Sequence, residues 1–111
     1  MKYSEEDPIV ILLPGPRLRP EEVRGFEELV EQHIKSGNVH LVLDMSHVEW
    51  MDSSLLGILV AIHRKIQEHQ GRLVMCQVHE SVLNLFRLMR IEELFAIRNN
   101  VDEALGEFDE E

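Results

Sequence analysis

The sequence predicts an α/β fold in which a small mixed β-sheet of four to five strands is covered by about four helices. Short apolar runs rich in branched residues alternate along the chain with longer segments whose apolar residues recur at helical spacing. The 111 residues are 44% hydrophobic, which is enough for one packed core. No repeat or long linker divides the chain, so we expect a single domain over residues 1–111, with a core at about 8–108 and short acidic tails.

The predicted strands are short apolar runs bounded by turn residues. The first, IVILL, ends at the sequence Pro14-Gly15-Pro16, and the next ones are also rich in branched side chains. These strands are predicted at residues 9–13, 39–45, 72–78 and 94–97. A further edge strand at 1–3, joined by a turn at 5–8, would complete the sheet.

Helices are predicted between these strands, at residues 20–36, 54–69 and 80–90, and after Asn99 or Asn100. Pro20 suits a first helical position, and the acidic residues that follow it favour the positive end of the helix dipole. Gly37 and Gly71 are expected to end the first two helices. The 80–90 helix carries more apolar residues than one face needs, which indicates core packing or an exposed contact surface.

The charge of the chain excludes several classes of function. Its 21 acidic residues against 11 Lys and Arg give a net charge of −10, which repels nucleic acid and anionic membranes and favours a basic protein partner. One cysteine permits no internal disulfide, and no secretion signal or bilayer-spanning run is found, so a cytoplasmic location is expected. The six histidines show no metal-binding spacing, and we expect no metal.

Two serines stand at the start of the 54–69 helix, in the sequence Asp52-Ser53-Ser54. They lie beyond the carboxyl end of the second predicted strand, the edge at which sheets of this class place their functional surfaces. One hydroxyl suffices as a helix cap, and no G-x-S-x-G turn supports a nucleophile, so no catalytic residue is assigned and no enzyme is expected. A phosphoserine would be tolerated there and would add about 1.5–2 negative charges beside Asp52 and Asp44. The residues alone leave both a cap and a phosphorylation switch open.

The stretch LVLDMSHVEWMDSSLLGILV, residues 41–60, resembles the signature of STAS domains, specifically the anti-sigma factor antagonists. In that family a strand, an acidic residue and a loop precede Met-Asp-Ser followed by Ser or Thr and Gly-Leu-Gly. The similarity runs nearly end to end. Two residues depart from the pattern: Leu55 stands where the family usually has Gly, and Arg19 stands where many members have an acid.

The resemblance implies a partner-switching function that regulates sigma-factor-dependent transcription. The antagonist would bind an anti-sigma factor that is also a serine kinase, be phosphorylated on Ser53 and so be released, and be restored by a serine phosphatase. Asp52 and Ser54 would support the phosphorylation site, and no cofactor belongs to this chain. The residues expected to contact the partner are Asp44, Trp50, Ser53, Ser54 and Leu55.

Three alternatives stay open at this point. The chain could serve as a STAS-type regulatory or scaffolding partner in another complex, such as a signalling assembly, secretion control or lipid transport. Trp50 could pack under its loop or be exposed as a binding anchor. The sequence leaves dimerisation undecided.

Overall fold

The computed structural model describes residues 9–12, 14, 17–37, 40–53 and 56–108. Within these residues the chain forms six strands and four helices. The strands are β1 (Ile9–Leu12), β2 (Arg17–Leu18), β3 (His40–Asp44), β4 (Trp50–Met51), β5 (Arg72–Cys76) and β6 (Ala96–Arg98). The helices are α1 (Pro20–Lys35), α2 (Leu56–Glu68), α3 (Glu80–Leu88) and α4 (Val101–Gly106). The four helices and the strands β1, β3, β5 and β6 follow one another in the predicted order. None of the helices in the described part is long and apolar enough to cross a membrane.

The main sheet has the strand order β1-β3-β5-β6, and every pairing between these strands is parallel. Parallel neighbours need a crossover connection, and α1, α2 and α3 supply it in turn. The predicted edge strand at 1–3 and its turn at 5–8, which would make the sheet mixed, lie outside the described residues. The last strand is Ala96–Arg98 and not 94–97, because Leu94 belongs to a turn in which its N–H donates to the Ile91 carbonyl at 3.0 Å.

The two faces of the sheet are covered unequally. Successive side chains of a strand point to opposite faces. Leu41 and Leu43 therefore face the large apolar core formed with α1, α2 and α3, whereas Val42 faces α4. The central strands β3 and β5 are buried on both faces, which explains why their sequences are continuous apolar runs.

A second, two-stranded sheet joins β2 and β4, and the sequence did not predict it. Arg17 pairs with Trp50 and Leu18 with Met51, in parallel. Strands of two residues are too short for apolar periodicity to reveal them. This ribbon places the start of α1 beside the chain that leads to Ser53.

The ends of α1 and α4 follow the expected signals, whereas those of α2 and α3 depart from them. Gly37 after α1 has φ +88, and the Asn100 side chain caps α4 by accepting from the Glu103 N–H at 2.8 Å. After α2, however, the left-handed position is held by Gln70 with φ 63, and Gly71 follows it and donates its N–H to the Ile66 carbonyl. Arg90 occupies the same position after α3, which therefore ends at Leu88 rather than at 90.

Candidate functional site

The carboxyl ends of β3 and β5 bring two polar side chains together at one edge of the sheet. Asp44 is the last residue of β3, and its Oδ1 accepts a hydrogen bond from the Ser46 N–H at 3.0 Å. Gln77, directly after β5, donates from Nε2 to both Asp44 oxygens at 3.3 and 3.4 Å. Gln77 also has φ 55, a left-handed conformation that is unfavourable for a residue with a side chain. The edge is thus anchored by a carboxylate and a conformationally strained amide residue.

The loop between β3 and β4 is held by the segment that opens α3. His79 lies with its Nε2 2.7 Å from the Ser46 carbonyl oxygen, and the Ser81 hydroxyl donates to the Glu49 carbonyl at 3.2 Å. Because a carbonyl only accepts, the His79 Nε2 carries the proton in this contact. Within the loop, the Met45 and Val48 side chains are buried in the core. The hydrogen bonds from His79 and Ser81 and the burial of Met45 and Val48 together fix the loop that leads towards Ser53.

Ser53 follows Asp52 in the connection between β4 and α2, and its side chain is exposed. Asp52 is half-buried beside it. An exposed serine next to a fixed loop can be approached by another protein without unfolding of its surroundings. Ser54 and Leu55 lie outside the described residues, so their predicted supporting and docking roles stay predictions.

Trp50 is exposed rather than packed under its loop. Half of its surface, 50%, is open to solvent, and it borders a groove of about 150 Å³ between β4 and α3. The exposed alternative from the sequence is therefore the one that the structure contains.

The only thiol of the chain, that of Cys76, lies near this edge of the sheet. Cys76 is fully buried at the end of β5 and lies opposite Asp44 in the strand register. Burial, and then the negative charge of Asp44, raise the pKa of the Cys76 thiol to about 11. The thiol is therefore protonated at neutral pH and is a poor nucleophile. Across the described residues, no three His, Cys, Asp or Glu side chains gather where a metal ion could bind.

Sequence reasoning missed three residues of this edge: Gln77, His79 and Ser81. A usable signal was present for His79 and Ser81, because they follow closely after the predicted 72–78 strand of a parallel sheet. Gln77 was expected inside that strand, which in the structure ends at Cys76.

A family model of the STAS domain matches residues 3–104 of the chain. The protein belongs to the STAS domain family. It is 28% identical to a candidate anti-sigma factor antagonist of Thermotoga maritima over 106 residues, which cover 95% of this chain and 94% of the relative. It is also 29% identical to the anti-sigma-B factor antagonist of Listeria monocytogenes, over 96% of this chain and 92% of that protein.

Solved structures agree with this assignment. A crystal structure of a candidate anti-sigma factor antagonist from Thermotoga maritima superposes with a TM-score of 0.82 at 27% identity, and the match covers 96% of this chain and 90% of that one. The arrangement of strands and helices around the Ser53 edge is therefore that of a STAS domain.

Proposed function

We propose that this STAS domain is an anti-sigma factor antagonist that binds an anti-sigma factor serine kinase and is released when that kinase phosphorylates Ser53. One observation supports the proposal above all: an exposed serine follows Asp52 in the connection between β4 and α2. It does so in a chain that is similar, over nearly its full length, to proteins named as anti-sigma factor antagonists. A serine phosphatase acting on the phosphorylated form would restore binding.

Phosphorylation would change the charge of the docking surface more than its shape. The phosphate adds about 1.5–2 negative charges next to Asp52. A partner docked on this surface would meet both the bulk of the phosphate and its negative charge, and like charges at close range repel. Because the preceding loop is fixed by His79 and Ser81, the fold need not rearrange for binding to be lost.

The partner-binding surface would centre on the same edge. Trp50 and Ser53 are exposed in and just after β4, and Asp44 holds the start of the loop that leads to them. Ser54 and Leu55 are proposed to complete the surface. The substitution of Leu for the usual Gly at position 55 would then influence which kinase is accepted.

The first experiment locates the phosphate. Each anti-sigma factor serine kinase of the source organism is purified and incubated with the protein and Mg-ATP, and the product is analysed by tandem mass spectrometry. We expect one phosphate on Ser53 and none on the Ser53→Ala variant. Ser36→Ala is the matched control, because Ser36 is also an exposed serine, lies at the end of α1 and takes no part in the contacts that hold the loop before Ser53, and it should be phosphorylated normally. Phosphate elsewhere, with Ser53→Ala still accepting it, would remove Ser53 as the site.

The second experiment tests the switch itself. Ser53→Asp places a negative charge at the acceptor position, and we expect kinase affinity measured by calorimetry to fall by roughly tenfold or more. The thermal midpoint should stay within a few degrees of the parent, since the site is exposed. Equal affinity would disprove the switch. If none of the kinases binds the unmodified protein, the antagonist role itself is wrong, and the scaffolding alternative takes its place.

A further inference from the structure

The groove beside Trp50 is a surface that the phosphorylation site does not explain. It lies between β4 and the first turns of α3 and is lined by Glu49, Trp50, Met51, Ser81, Val82 and Leu85. Met51 and Val82 are buried, whereas Trp50 is 50% exposed. A large aromatic side chain left half in water beside an apolar groove is typical of a binding surface.

Helix α3 extends this apolar surface beyond the groove. Residues three and four apart on a helix are neighbours, so Leu85, which lines the groove, is followed along the same side by Leu88 and Met89. Leu88 is 79% exposed and Met89 is 49% exposed. The groove and this side of α3 thus form one stripe, which we call the Trp50–Met89 surface. Charged side chains lie elsewhere on the helix, where Arg87 pairs with Glu80 at 3.0 Å.

The charge around the groove limits what can bind it. Glu49 is the charged residue among the groove-lining side chains, and within the described part of the chain no basic side chain lines it. The Arg87 guanidinium is already engaged by Glu80 and Glu92. With a net charge of −10 on the whole chain, the complementary ligand is apolar and positively charged.

We propose that the Trp50–Met89 surface is a second docking region for the anti-sigma factor kinase and that it binds a kinase segment with apolar side chains flanked by Lys or Arg. This inference rests on the proposed function. An apolar side chain would enter the groove beside Trp50, and a basic one would approach Glu49. The surface begins at Trp50, three residues before Ser53, and continues along α3 to Met89. It would determine which kinase binds, whereas Ser53 determines whether binding persists.

Trp50 offers a direct readout because it is the only tryptophan in the chain. The protein is labelled with 5-fluorotryptophan and titrated with the unlabelled kinase that phosphorylates it, so that one ¹⁹F resonance reports on the groove. We expect that resonance to shift on binding. In parallel, Leu88→Lys should weaken kinase binding roughly tenfold, because it removes apolar contact and repels a basic segment. Leu88→Ser, which adds no charge, should weaken it by less.

The matched control is Leu29→Lys on α1. Leu29 is also an exposed leucine, at 38%, so this variant makes the same change of charge outside the groove, and its affinity for the kinase should change by less than about twofold. Leu88 is mostly in solvent, so its variants are expected to keep the parent thermal midpoint.

Three results would overturn the proposal. The kinase could bind and phosphorylate Leu88→Lys as it does the parent while the ¹⁹F resonance stays unchanged; the docking surface would then be wrong and the Ser53 switch would stand. Leu88→Lys could convert a dimer to a monomer in sedimentation, in which case a second copy of this chain is the occupant. The third result is that no kinase binds the protein; the proposed function would then be wrong, and this docking surface with it.

Discussion

The core between the sheet and α1–α3 and the carboxyl edge of the sheet are built from different interactions. In the core, Leu41, Ile66 and Phe86 are fully buried and contact other apolar side chains. At the edge, the Asp44 carboxylate accepts hydrogen bonds from the Ser46 backbone N–H and from the Gln77 side chain. Apolar burial dominates stability, whereas hydrogen bonds contribute little net energy but fix geometry. Substitutions in the core should therefore mainly lower stability, whereas substitutions at the edge should mainly affect function.

The largest effect is expected in the core. Phe86→Ala removes a fully buried ring that packs against Phe95 at a centroid distance of 5.6 Å. We expect the free energy of unfolding from urea titration to fall by about 3–5 kcal/mol. Leu88→Ala, two residues along the same helix but mostly exposed, should change it by less than about 0.5 kcal/mol. Similar losses for both variants would contradict the packing described for α3.

The edge should respond in function more than in stability. Asp44→Ala removes the acceptor for Ser46 and Gln77, and the expected loss of unfolding free energy is about 1–2 kcal/mol. Phosphorylation of Ser53 should slow by about tenfold, because the loop before it loses its anchor. Asp44→Asn is the control, since its amide oxygen can still accept from Ser46, and it should retain most of the rate. An unchanged rate for Asp44→Ala would show that the loop is fixed by other contacts.

One core residue links stability to pH. His63 on α2 is 6% exposed, its Nδ1 has no hydrogen-bond partner, and its ring meets Phe95 edge to face at 5.3 Å. Burial lowers the pKa of His63 in the folded protein. Below about pH 6.5 the unfolded chain therefore binds more protons than the folded one. Stability should fall with decreasing pH from about 6.5 down to the lowered pKa, with a slope of at most about 1.4 kcal/mol per pH unit.

Chemical unfolding between pH 7.5 and 5 measures this slope. His63→Leu should flatten the curve in that window, whereas His47→Gln, which alters an exposed histidine, should leave it as in the parent. If His63→Leu retains the full slope, another group is responsible for it.

The smallest expected effect is a gain in stability, and it comes from residues outside both the core and the carboxyl edge of the sheet. Gln70 and Arg90 hold left-handed conformations that favour glycine, with φ 63 and 60. Gln70→Gly and Arg90→Gly should each raise the free energy of unfolding by about 0.5–1 kcal/mol in urea titrations. Gln67→Gly, within α2, should instead lower it by about 1 kcal/mol. Destabilisation by all three would mean that the helix ends are not strained.

The sequence predicted the large elements because their apolar periods are strong. β3 and α1 lie within one residue of their expected bounds, since continuous branched runs and helical spacing are unambiguous over such lengths. It did not predict β2 and β4, which are stabilised by pairing with each other rather than by any local pattern. Leu94 was assigned to a strand because it is apolar, yet it is 41% exposed in a turn.

The sequence predicted only part of the candidate site, because only some of its residues are close together in the chain. Ser53 and Trp50 stand in a motif that is continuous in the sequence, and both are exposed. Gln77, His79 and Ser81 contribute through contacts with residues about thirty positions away, which only the parallel register of β3 and β5 brings near. Spacing along a chain does not encode such contacts directly.

The short β2–β4 ribbon has a consequence for how such proteins diversify. Leu18 lies opposite Met51, so Arg19 and Asp52 leave the ribbon side by side although they are far apart in the sequence. A substitution at the start of α1 can therefore alter the neighbourhood of Ser53 while Asp52 and Ser53 themselves stay unchanged.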